Sequence, residues 1–322
     1  MSSPPAPGIS VVIPALQAAA TLGSCIQAVL AQKVDVDFDI TIAVGPSSDD
    51  TRAIADAAAM AHSAVRVVDN PSGTTPSALN LAIAASAGPI VARVDAQSLL
   101  PPGYLGRAAT TMERTGAVNV GGIQRPAGSH GRQAIIAAAM ASPFGSGPAR
   151  FRRDGKEGPV DTVYLGVFSR AALEEVGGFD ESMRRNQDYD LNWRLRSAGG
   201  LVWFDPELVV EYHPRHTLLQ LWSQHWQYGA WKRYSLFRAP KSLRIRQLVA
   251  PALVVGLVSS LGALIAGSLV GLVIPVLYLL AVLIAASRCR VTGIGDRAVL
   301  LAAFAIIHLG WGGGFLVGRR GG

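Results

Sequence analysis

The first hundred residues alternate between short apolar runs and longer segments with one apolar face. Apolar runs bounded by turn residues predict buried strands, and segments with helical spacing predict amphipathic helices. Strands are predicted at residues 9–14, 39–44, 65–68 and 89–94, and helices at residues 21–31, 52–62 and 77–87. Strands and helices that alternate in this way indicate βαβ units and a parallel sheet. Ligands of such sheets collect at the carboxyl ends of the strands, so functional residues are expected there.

The last quarter of the chain has a different pattern, because residues 248–287 contain no charged side chain. One bilayer crossing needs about 20 apolar residues, so this run predicts two transmembrane helices. We place them at about residues 248–266 and 268–287, and a third apolar run covers residues 298–318. The pattern leaves open whether the third run spans the membrane or lies as a re-entrant or interfacial segment. A buried pair of core helices is less favoured, because uncharged runs of this length are rare in soluble cores.

Basic residues flank the apolar runs and predict their orientation. They are Lys241, Arg244 and Arg246 before the first run, and Arg288, Arg290 and Arg297 after the second. Positively charged residues concentrate on the cytoplasmic side, so we expect a multi-pass protein of the cell membrane with an in–out–in hairpin. A spanning third run would leave Arg319 and Arg320 outside, against this rule.

Residues 1–8 are expected to be disordered and do not resemble a signal peptide, so the first domain is expected in the cytoplasm.

Composition and charge agree with a membrane protein. Charged residues make up 16% of the 322 positions, whereas soluble domains usually carry about 25%. The net charge is −3 over residues 1–183, +6 over residues 184–246 and +4 over residues 247–322. Basic residues beside apolar runs favour anionic lipid headgroups as partners, and we expect no nucleic-acid partner. The two cysteines, Cys25 and Cys289, lie far apart in the sequence, which excludes a disulfide framework and argues against a zinc cluster.

A carboxylate follows the fourth predicted strand directly. Asp95 stands at the carboxyl end of residues 89–94, a position suited to a divalent cation or a ribose. Its other interpretation is a turn or helix-capping aspartate. Arg93 precedes Asp95 by two residues and points to the same side of the strand. Arg93 therefore either meets a phosphate or forms an ion pair within the sheet.

A second carboxylate lies in a polar segment near residue 190. Leu191 and Leu195 are four residues apart, which predicts a helix that begins near Asp188. A carboxylate in the first turn of a helix is stabilised by the helix dipole and stays ionised. Asp188 is therefore either a functional carboxylate or a helix cap with arginine partners.

Six short segments together carry a family resemblance. They are residues 9–14, 47–51, 70–73 with Leu79 and Asn80, 93–97, 177–180 and 186–191, in this order. In this combination the chain resembles a family 2 glycosyltransferase of the GT-A fold, in particular the bacterial succinoglycan-biosynthesis glucosyltransferase branch. The resemblance implies an α/β, Rossmann-like nucleotide-sugar-binding domain over residues 9–240. An α-helical membrane region with two to three transmembrane helices would follow over residues 241–322.

The resemblance also implies a donor site that holds a nucleotide sugar and a divalent cation, Mg²⁺ or Mn²⁺. Asp95 matches the first aspartate of the family's Asp-x-Asp, which meets the donor ribose, the diphosphate and the metal. Gln97 stands where the second aspartate would be, and His213 is a candidate metal ligand from the far side. The residues that correspond to the donor site are Pro14, Asp49, Asn80, Arg93, Asp95 and Gln97. Asp49 is interpreted equally as a helix cap.

On the acceptor side, Asp188 matches the aspartate of the family's Glu-Asp pair and is the expected general base. Gln187 replaces the neighbouring glutamate, and Asp190 is a second candidate for the base. The acceptor or diphosphate side is also expected to include Gln224, Trp231, Lys232 and Arg233. Aromatic residues of this segment either stack on sugars or lie at the bilayer surface, where Trp and Tyr are enriched.

The resemblance therefore implies a membrane-anchored, inverting glycosyltransferase that moves a hexose, with UDP-glucose as the first choice of donor. Its acceptor would be a lipid-linked glycan or a growing cell-surface glycan. A polyprenyl-phosphate sugar synthase is an alternative enzyme. A non-catalytic membrane module that binds nucleotide sugars is an alternative outside enzymes.

Overall fold

The computed structural model describes residues 8–126, 131–147, 155–212, 217–291 and 293–318. The chain divides into two compact units. Unit 1 is formed within residues 1–125 and 150–212, and unit 2 within residues 126–149 and 213–322. The predicted domain boundary at residue 240 falls inside unit 2, because the long helix that ends at Arg238 packs with the apolar helices that follow it.

The described residues form eight strands and twelve α-helices. The strands are β1 (Ile9–Ala15), β2 (Phe38–Val44), β3 (Val65–Asp69), β4 (Ile90–Arg93), β5 (Asn119–Pro126), β6 (Gly158–Pro159), β7 (Tyr164–Ser169) and β8 (Val202–Tyr212). The helices of unit 1 are α1 (Leu22–Leu30), α2 (Thr51–Ala61), α3 (Thr75–Ala84), α4 (Tyr104–Thr115), α7 (Arg170–Glu175) and α8 (Gln187–Ser197). Those of unit 2 are α5 (Gly131–Ala141), α6 (Pro143–Ser146), α9 (Leu218–Arg238), α10 (Val249–Ile265), α11 (Val273–Ser287) and α12 (Ile294–Val317).

The strands of unit 1 join in one mixed sheet with the order β3-β2-β1-β4-β7-β5-β8-β6 within the described residues. β1 pairs in parallel with β2 and β4, and β2 pairs in parallel with β3. β7 runs antiparallel to β4 and β5. The predicted α/β fold with a parallel sheet is therefore confirmed, and the parallel part consists of the four strands that the apolar pattern predicted.

Side chains that alternate along β1 enter two different layers of the core. Val11 and Ile13 pack in the cluster that contains Leu22 of α1 and Leu105 of α4. Val12 packs in a second cluster with Leu79 of α3 and Leu191 of α8. Successive residues of a strand point to opposite faces of the sheet. The two clusters therefore lie on opposite faces, and helices cover both of them. The short run at residues 9–14 is apolar apart from Ser10 for this reason.

The antiparallel half of the sheet depends on close backbone contact. A Cβ atom on Gly122 of β5 would lie 1.8 Å from the carbonyl oxygen of Leu208 on β8. A Cβ atom on Gly121 would lie 2.6 Å from the carbonyl oxygen of Tyr164 on β7. Only glycine fits at these two positions, and glycine within a strand weakens the period-2 pattern by which a strand is recognised.

A buried carboxylate fastens α4 to β8. The side chain of Asp205 is 0% exposed and accepts hydrogen bonds from Arg107 Nε at 2.8 Å, Thr111 Oγ1 at 3.0 Å and the Glu207 N–H at 3.0 Å. Burial by itself would raise the pKa of Asp205, but these donors outweigh it and lower that pKa. A fully paired buried charge of this kind fixes the relation of two elements, since losing one partner leaves the other charge unsatisfied.

Unit 2 contains three helical segments long and apolar enough to cross a membrane: Ile245–Ile265, Leu269–Ser287 and Ile294–Val317. They agree with the apolar runs predicted at residues 248–266, 268–287 and 298–318. α12 differs from the other two because α9 lies closely along it. A Cβ atom on Gly314 would lie 2.1 Å from the carbonyl oxygen of Trp226, and one on Gly229 would lie 2.0 Å from that of Trp311. Small residues thus allow the two helix backbones to approach, as in membrane helix pairs.

Candidate functional site

The candidate site lies where the order of the strands reverses. The chain continues from β1 to β2 and β3 on one side, whereas β4 lies on the other side of β1. In open α/β sheets such a switch point leaves a crevice outside the carboxyl ends of the strands, where ligands bind. Arg93 is the last residue of β4, and Asp95 follows it by two positions. Asp95 therefore occupies the strand-end position that the sequence predicted for it.

A buried arginine joins two carboxylates at this point. Arg93 is 7% exposed, and its Nε and Nη2 atoms each lie 2.9 Å from Asp95 Oδ1. Its Nη1 donates to Asp188 Oδ1. Burial by itself would lower the pKa of Arg93, but the charges of Asp188 and Asp95 outweigh it and raise that pKa. Arg93 therefore stays charged and holds both candidate carboxylates, so the predicted ion pair extends beyond the sheet to α8.

Two aromatic side chains, neither predicted as a site residue, complete the surroundings of Arg93. The ring centre of Phe179 lies 5.9 Å from the guanidinium carbon of Arg93. The Tyr164 hydroxyl lies 3.4 Å from Ser98 Oγ. Burial raises the pKa of Tyr164, and the charge of Asp95 raises it further, so this tyrosine stays neutral. Phe179 lies within the predicted segment 177–180, whereas Tyr164 is on β7, which the apolar pattern did not reveal.

Buried amides fix the first turn of α8, which carries Asp188. Asn192 Nδ2 donates to the carbonyl oxygen of Asp188 at 2.8 Å. Asn119 Nδ2, on β5, donates to Asn192 Oδ1 at 2.6 Å, and both asparagines are buried. α8 begins at Gln187, as the spacing of Leu191 and Leu195 predicted. The position of Asp188 is thereby set by the sheet.

The environment of Asp188 suits a group that takes up a proton. Its side chain keeps 45% of its surface open to solvent, although protein atoms crowd the rest of the carboxylate. This desolvation raises the pKa of Asp188, the charge of Arg93 opposes the increase, and the charge of Asp95 adds to it. The net direction is upward, which makes the carboxylate a stronger base than an ordinary aspartate while Arg93 favours its ionised form.

Asn80 connects α3 to the loop that precedes α8. Its Nδ2 donates to the Phe179 carbonyl oxygen at 2.8 Å and to Glu181 Oε1 at 2.9 Å. Its Oδ1 accepts from the Phe179 N–H at 2.9 Å. Asn80 thus holds the residue whose ring lies against Arg93. The structure places Asn80 beside the site as a positioning residue, and its predicted contact with a donor remains a prediction.

Asp49 and Pro14 lie in the region where the loops after β1 and β2 meet. Pro14 is the penultimate residue of β1. Asp49 Oδ2 accepts from the Ala19 N–H at 3.0 Å, and Asp49 Oδ1 accepts from the Thr51 hydroxyl at 2.5 Å. The Thr51 hydroxyl and the Ala19 N–H lower the pKa of Asp49. Asp49 therefore stays ionised and joins the two loops at the edge of the predicted donor site.

Asp95 keeps one carboxylate oxygen that fits a divalent cation bound together with a diphosphate. Arg93 uses only the Oδ1 atom of Asp95, and among the described residues Oδ2 accepts no hydrogen bond. Gln97 lies exposed in the turn that follows β4. The described ranges contain no group of three or more His, Cys, Asp or Glu side chains that could hold a metal. Mg²⁺ needs no such group, because one or two carboxylates with substrate phosphates and waters suffice. His213, the predicted far-side ligand, lies outside the described residues.

Asp190, the second candidate for the base, pairs within its own helix. Asp190 Oδ2 accepts from Arg194 Nε at 2.8 Å on α8, whereas Asp188 pairs with Arg93. The second candidate for the base is therefore engaged by its own helix. Asp188 is thus better placed than Asp190 to act with Asp95.

Gln224, Trp231, Lys232 and Arg233 all lie on α9 of unit 2. Lys232 is 3% exposed, and its Nζ lies 3.4 Å from Ser242 Oγ. Arg233 donates to the Leu316 carbonyl oxygen of α12, and Gln224 Nε2 donates to the Tyr228 hydroxyl at 3.1 Å. The Trp231 ring packs edge-on against Tyr234. These contacts belong to the packing of unit 2, and the predicted acceptor or diphosphate role remains a prediction.

The contacts of Asn80 generate a structural prediction. Replacing Asn80→Ala removes three hydrogen bonds, so we expect about 1–3 kcal/mol lower stability and faster amide exchange at Phe179 and its neighbours. Hydrogen exchange of the full chain in detergent, read by mass spectrometry, measures this. Asn70→Ala is the matched control, because the bonds of Asn70 to Ser72 and Thr74 are local to the loop after β3. Equal exchange around Phe179 in both variants would contradict the positioning role.

Comparison of the sequence with known proteins finds related glycan-pathway and glycosyltransferase sequences. The chain is 28% identical over 309 residues to the succinoglycan biosynthesis protein ExoA of Rhizobium meliloti (strain 1021), which covers 95% of this chain and 93% of that protein. A pre-mycofactocin glycosyltransferase of Mycobacterium tuberculosis is 34% identical over 121 residues, covering 34% of this chain and 23% of that protein.

Two solved structures share the architecture. A mannosyltransferase of Pyrobaculum calidifontis, in complex with GDP-Man and Mn²⁺, superposes with a TM-score of 0.65 at 17% identity, covering 94% of this chain and 86% of that one. S. aureus TarS 1–349 in complex with UDP-GlcNAc gives a TM-score of 0.51 at 13% identity, covering 68% and 66%.

The family model described as glycosyltransferase like family 2 matches residues 5–229, which is most of the chain and includes Asp95, Arg93 and Asp188. The protein therefore belongs to glycosyltransferase family 2 and is a glycosyltransferase of the GT-A fold.

Proposed function

We propose that this glycosyltransferase is anchored in the cell membrane and moves a hexose, with inversion, from a nucleotide sugar to a lipid-linked or cell-surface glycan. The observation that carries the proposal is the joining of Asp95 and Asp188 by Arg93. Asp95 stands on the donor side, at the end of β4, and Asp188 faces it from α8. Transfer requires a group that binds the donor and a base close to each other, and one guanidinium pairs with both of these carboxylates.

In this mechanism Asp188 removes the proton from the acceptor hydroxyl as that oxygen attacks the anomeric carbon. Its raised pKa favours uptake of the proton, and its exposed surface leaves room for the acceptor. The bond between the anomeric carbon and the donor phosphate breaks, and the nucleoside diphosphate leaves. Asp95 Oδ2 would hold a divalent cation with the diphosphate. When bound, the cation supplies positive charge to the leaving group.

The donor proposed first is UDP-glucose. The relation to a succinoglycan biosynthesis protein supports a polysaccharide sugar. Solved relatives of the same fold contain GDP-Man or UDP-GlcNAc, which supports a nucleotide sugar as the donor class. The identity of the sugar and base is tested directly by incubating membranes with a panel of labelled nucleotide sugars and identifying the lipid product.

The acceptor is proposed to be lipid-linked. Three helical segments of unit 2 are long and apolar enough to cross a bilayer, and a soluble acceptor would need no such segments. Product analysis separates this proposal from a polyprenyl-phosphate sugar synthase. The synthase would place the sugar on a lipid monophosphate, whereas the proposed enzyme forms a new glycosidic bond.

The base assignment predicts a sharp difference between two aspartates of one helix. Asp188→Asn should lower the transfer rate by roughly 10²–10⁴-fold, because the amide cannot accept the proton, while donor binding survives. Asp190→Asn is the matched control, since Asp190 pairs with Arg194 instead. We expect its rate to stay within a few-fold of wild type. Rates are measured with membranes and labelled donor, and binding by donor titration.

Near wild-type turnover in Asp188→Asn would disprove the proposed base. A comparable loss in Asp190→Asn would move the assignment to the other aspartate.

The pairing of Arg93 with two carboxylates predicts a loss of transfer activity that lysine at this position does not restore. Arg93→Met should lower kcat/KM by roughly 10²–10³-fold, because two carboxylates then face each other without their cation. Arg93→Lys should recover little, since a lysine cannot direct separate N–H groups to two partners. Arg66→Met, on the exposed edge of β3, is the control and should behave as wild type. Full activity in Arg93→Lys would show that only the charge matters.

The proposed orientation predicts which loop faces outward. In a Cys289→Ser background, Ala266→Cys should react with a membrane-impermeant thiol reagent in intact cells. Gly295→Cys should react only after permeabilisation, because the segment after α11 is proposed to face the cytoplasm. Both positions are exposed, and Cys25 is fully buried and should not react. The reverse labelling pattern would refute a cytoplasmic catalytic domain.

A further inference from the structure

Unit 2 contains an apolar cavity that the site of unit 1 does not use. Its volume is about 560 Å³, and it lies between α5, α6 and α11. Alanines from two helices leave the space open: Ala138 and Ala141 on α5, and Ala281 and Ala285 on α11. Cavities of this size and apolar character are typical of sites for small apolar ligands. α11 is one of the apolar segments, so a lipid chain has direct access to the cavity if α11 spans the bilayer.

Arg288 and Arg290 line the same cavity where α11 ends. Both are exposed, and neither has an ion pair or a side-chain hydrogen bond within the part of the chain that the structure describes. Among the residues that the structure describes, no aspartate or glutamate lines the cavity. Two arginines beside an apolar space match a ligand with an apolar chain and a phosphate head, because arginine binds phosphate oxygens through paired N–H groups.

The walls of the cavity are held in place by His308 of α12. His308 Nε2 lies 2.8 Å from the carbonyl oxygen of Phe144, and Nδ1 lies 3.0 Å from the Tyr278 hydroxyl. A neutral imidazole with its proton on Nε2 satisfies both, donating to the carbonyl and accepting from the hydroxyl. The Phe144 ring also packs edge-on against Phe304, with ring centres 5.2 Å apart. The wall at Phe144 and the helix with Arg288 are thus tied to one element, and the cavity is preformed.

We propose that this cavity binds the lipid phosphate part of the acceptor, with the apolar chain between α5 and α11 and the phosphate on Arg288 and Arg290. The inference rests on the proposed function, because it names the lipid carrier of that acceptor. Charge favours this occupant over ordinary phospholipid. A glycan joined to its lipid through a diphosphate carries about two negative charges at that linkage, as a polyprenyl monophosphate does, and matches two arginines, whereas the phosphodiester of a phospholipid carries only one.

The test is direct binding of a labelled polyprenyl monophosphate to the full-length chain in nanodiscs of neutral phospholipid. Replacing Arg288→Gln together with Arg290→Gln should weaken binding by at least about tenfold. Arg297→Gln is the matched control, since Arg297 belongs to the same basic segment but does not line the cavity. The uncharged polyprenol should bind the wild type at least about tenfold more weakly than its phosphate.

A second pair of variants tests the chain-binding part. Ala281→Phe fills the space and should weaken the binding of polyprenyl monophosphate. Ala286→Phe, on the same helix outside the cavity, should leave that binding unchanged. The proposal is overturned if Arg297→Gln weakens binding as much as the double variant, or if polyprenol binds as tightly as the phosphate. It is also overturned if phosphatidylglycerol displaces the probe at equal concentration, because an ordinary anionic lipid then suffices.

Hydrolysis of the labelled nucleotide sugar, measured in the same preparations, separates this inference from the proposed function. The cavity variants keep unit 1 unchanged, so hydrolysis should stay at the wild-type level and show that they are folded. Intact binding in the double arginine variant together with normal hydrolysis would defeat the cavity assignment alone. If the wild-type chain shows no transfer activity at all, the proposed function is wrong, whatever the cavity binds.

Discussion

The guanidinium of Arg93 is the constraint on which the site depends. A buried charge is costly unless it is paired, and Arg93, at 7% exposure, is paired with Asp95 and Asp188 together. The end of β4 and the first turn of α8 must therefore both stay within hydrogen-bond distance of the Arg93 side chain. Removing the guanidinium would leave two carboxylates facing each other without their cation, so the geometry of the site and its electrostatics depend on the same side chain.

The rest of unit 1 supports that arrangement through buried hydrogen bonds. Asn192 and Asn119 fix the turn that carries Asp188, and Asn80 fixes the loop whose phenylalanine lies against Arg93. Neutral amides suit this work, because each one donates and accepts without adding another buried charge. The reversal of strand order between β1 and β4 provides the crevice, and the amides hold the walls of the site around it.

Unit 2 uses a different kind of packing. α9 and α12 approach each other through Gly229 and Gly314, where any side chain would collide with the opposite backbone. Close glycine contacts stabilise helix pairs through van der Waals packing when the hydrophobic effect between helices is absent. The basic residues then separate into two groups. Lys232 and Arg233 are used in packing, whereas Arg288 and Arg290 remain open beside an apolar cavity.

The sequence by itself determined the elements whose signal is local. The strands β1 to β4, the helices α1 to α3 and the three apolar helices follow from periodicity and run length, because burial of one face or of a whole segment repeats along the chain. The tertiary structure alone decided the contacts between distant residues. Three features depend on how separate elements pack: the pairing of Arg93 with Asp188, the hydrogen bonds of Asn80 to the Phe179 backbone, and the burial of Lys232. Strand β5 also belongs here, because the backbones of β7 and β8 leave room only for glycine at Gly121 and Gly122, and such a requirement has no period in the sequence.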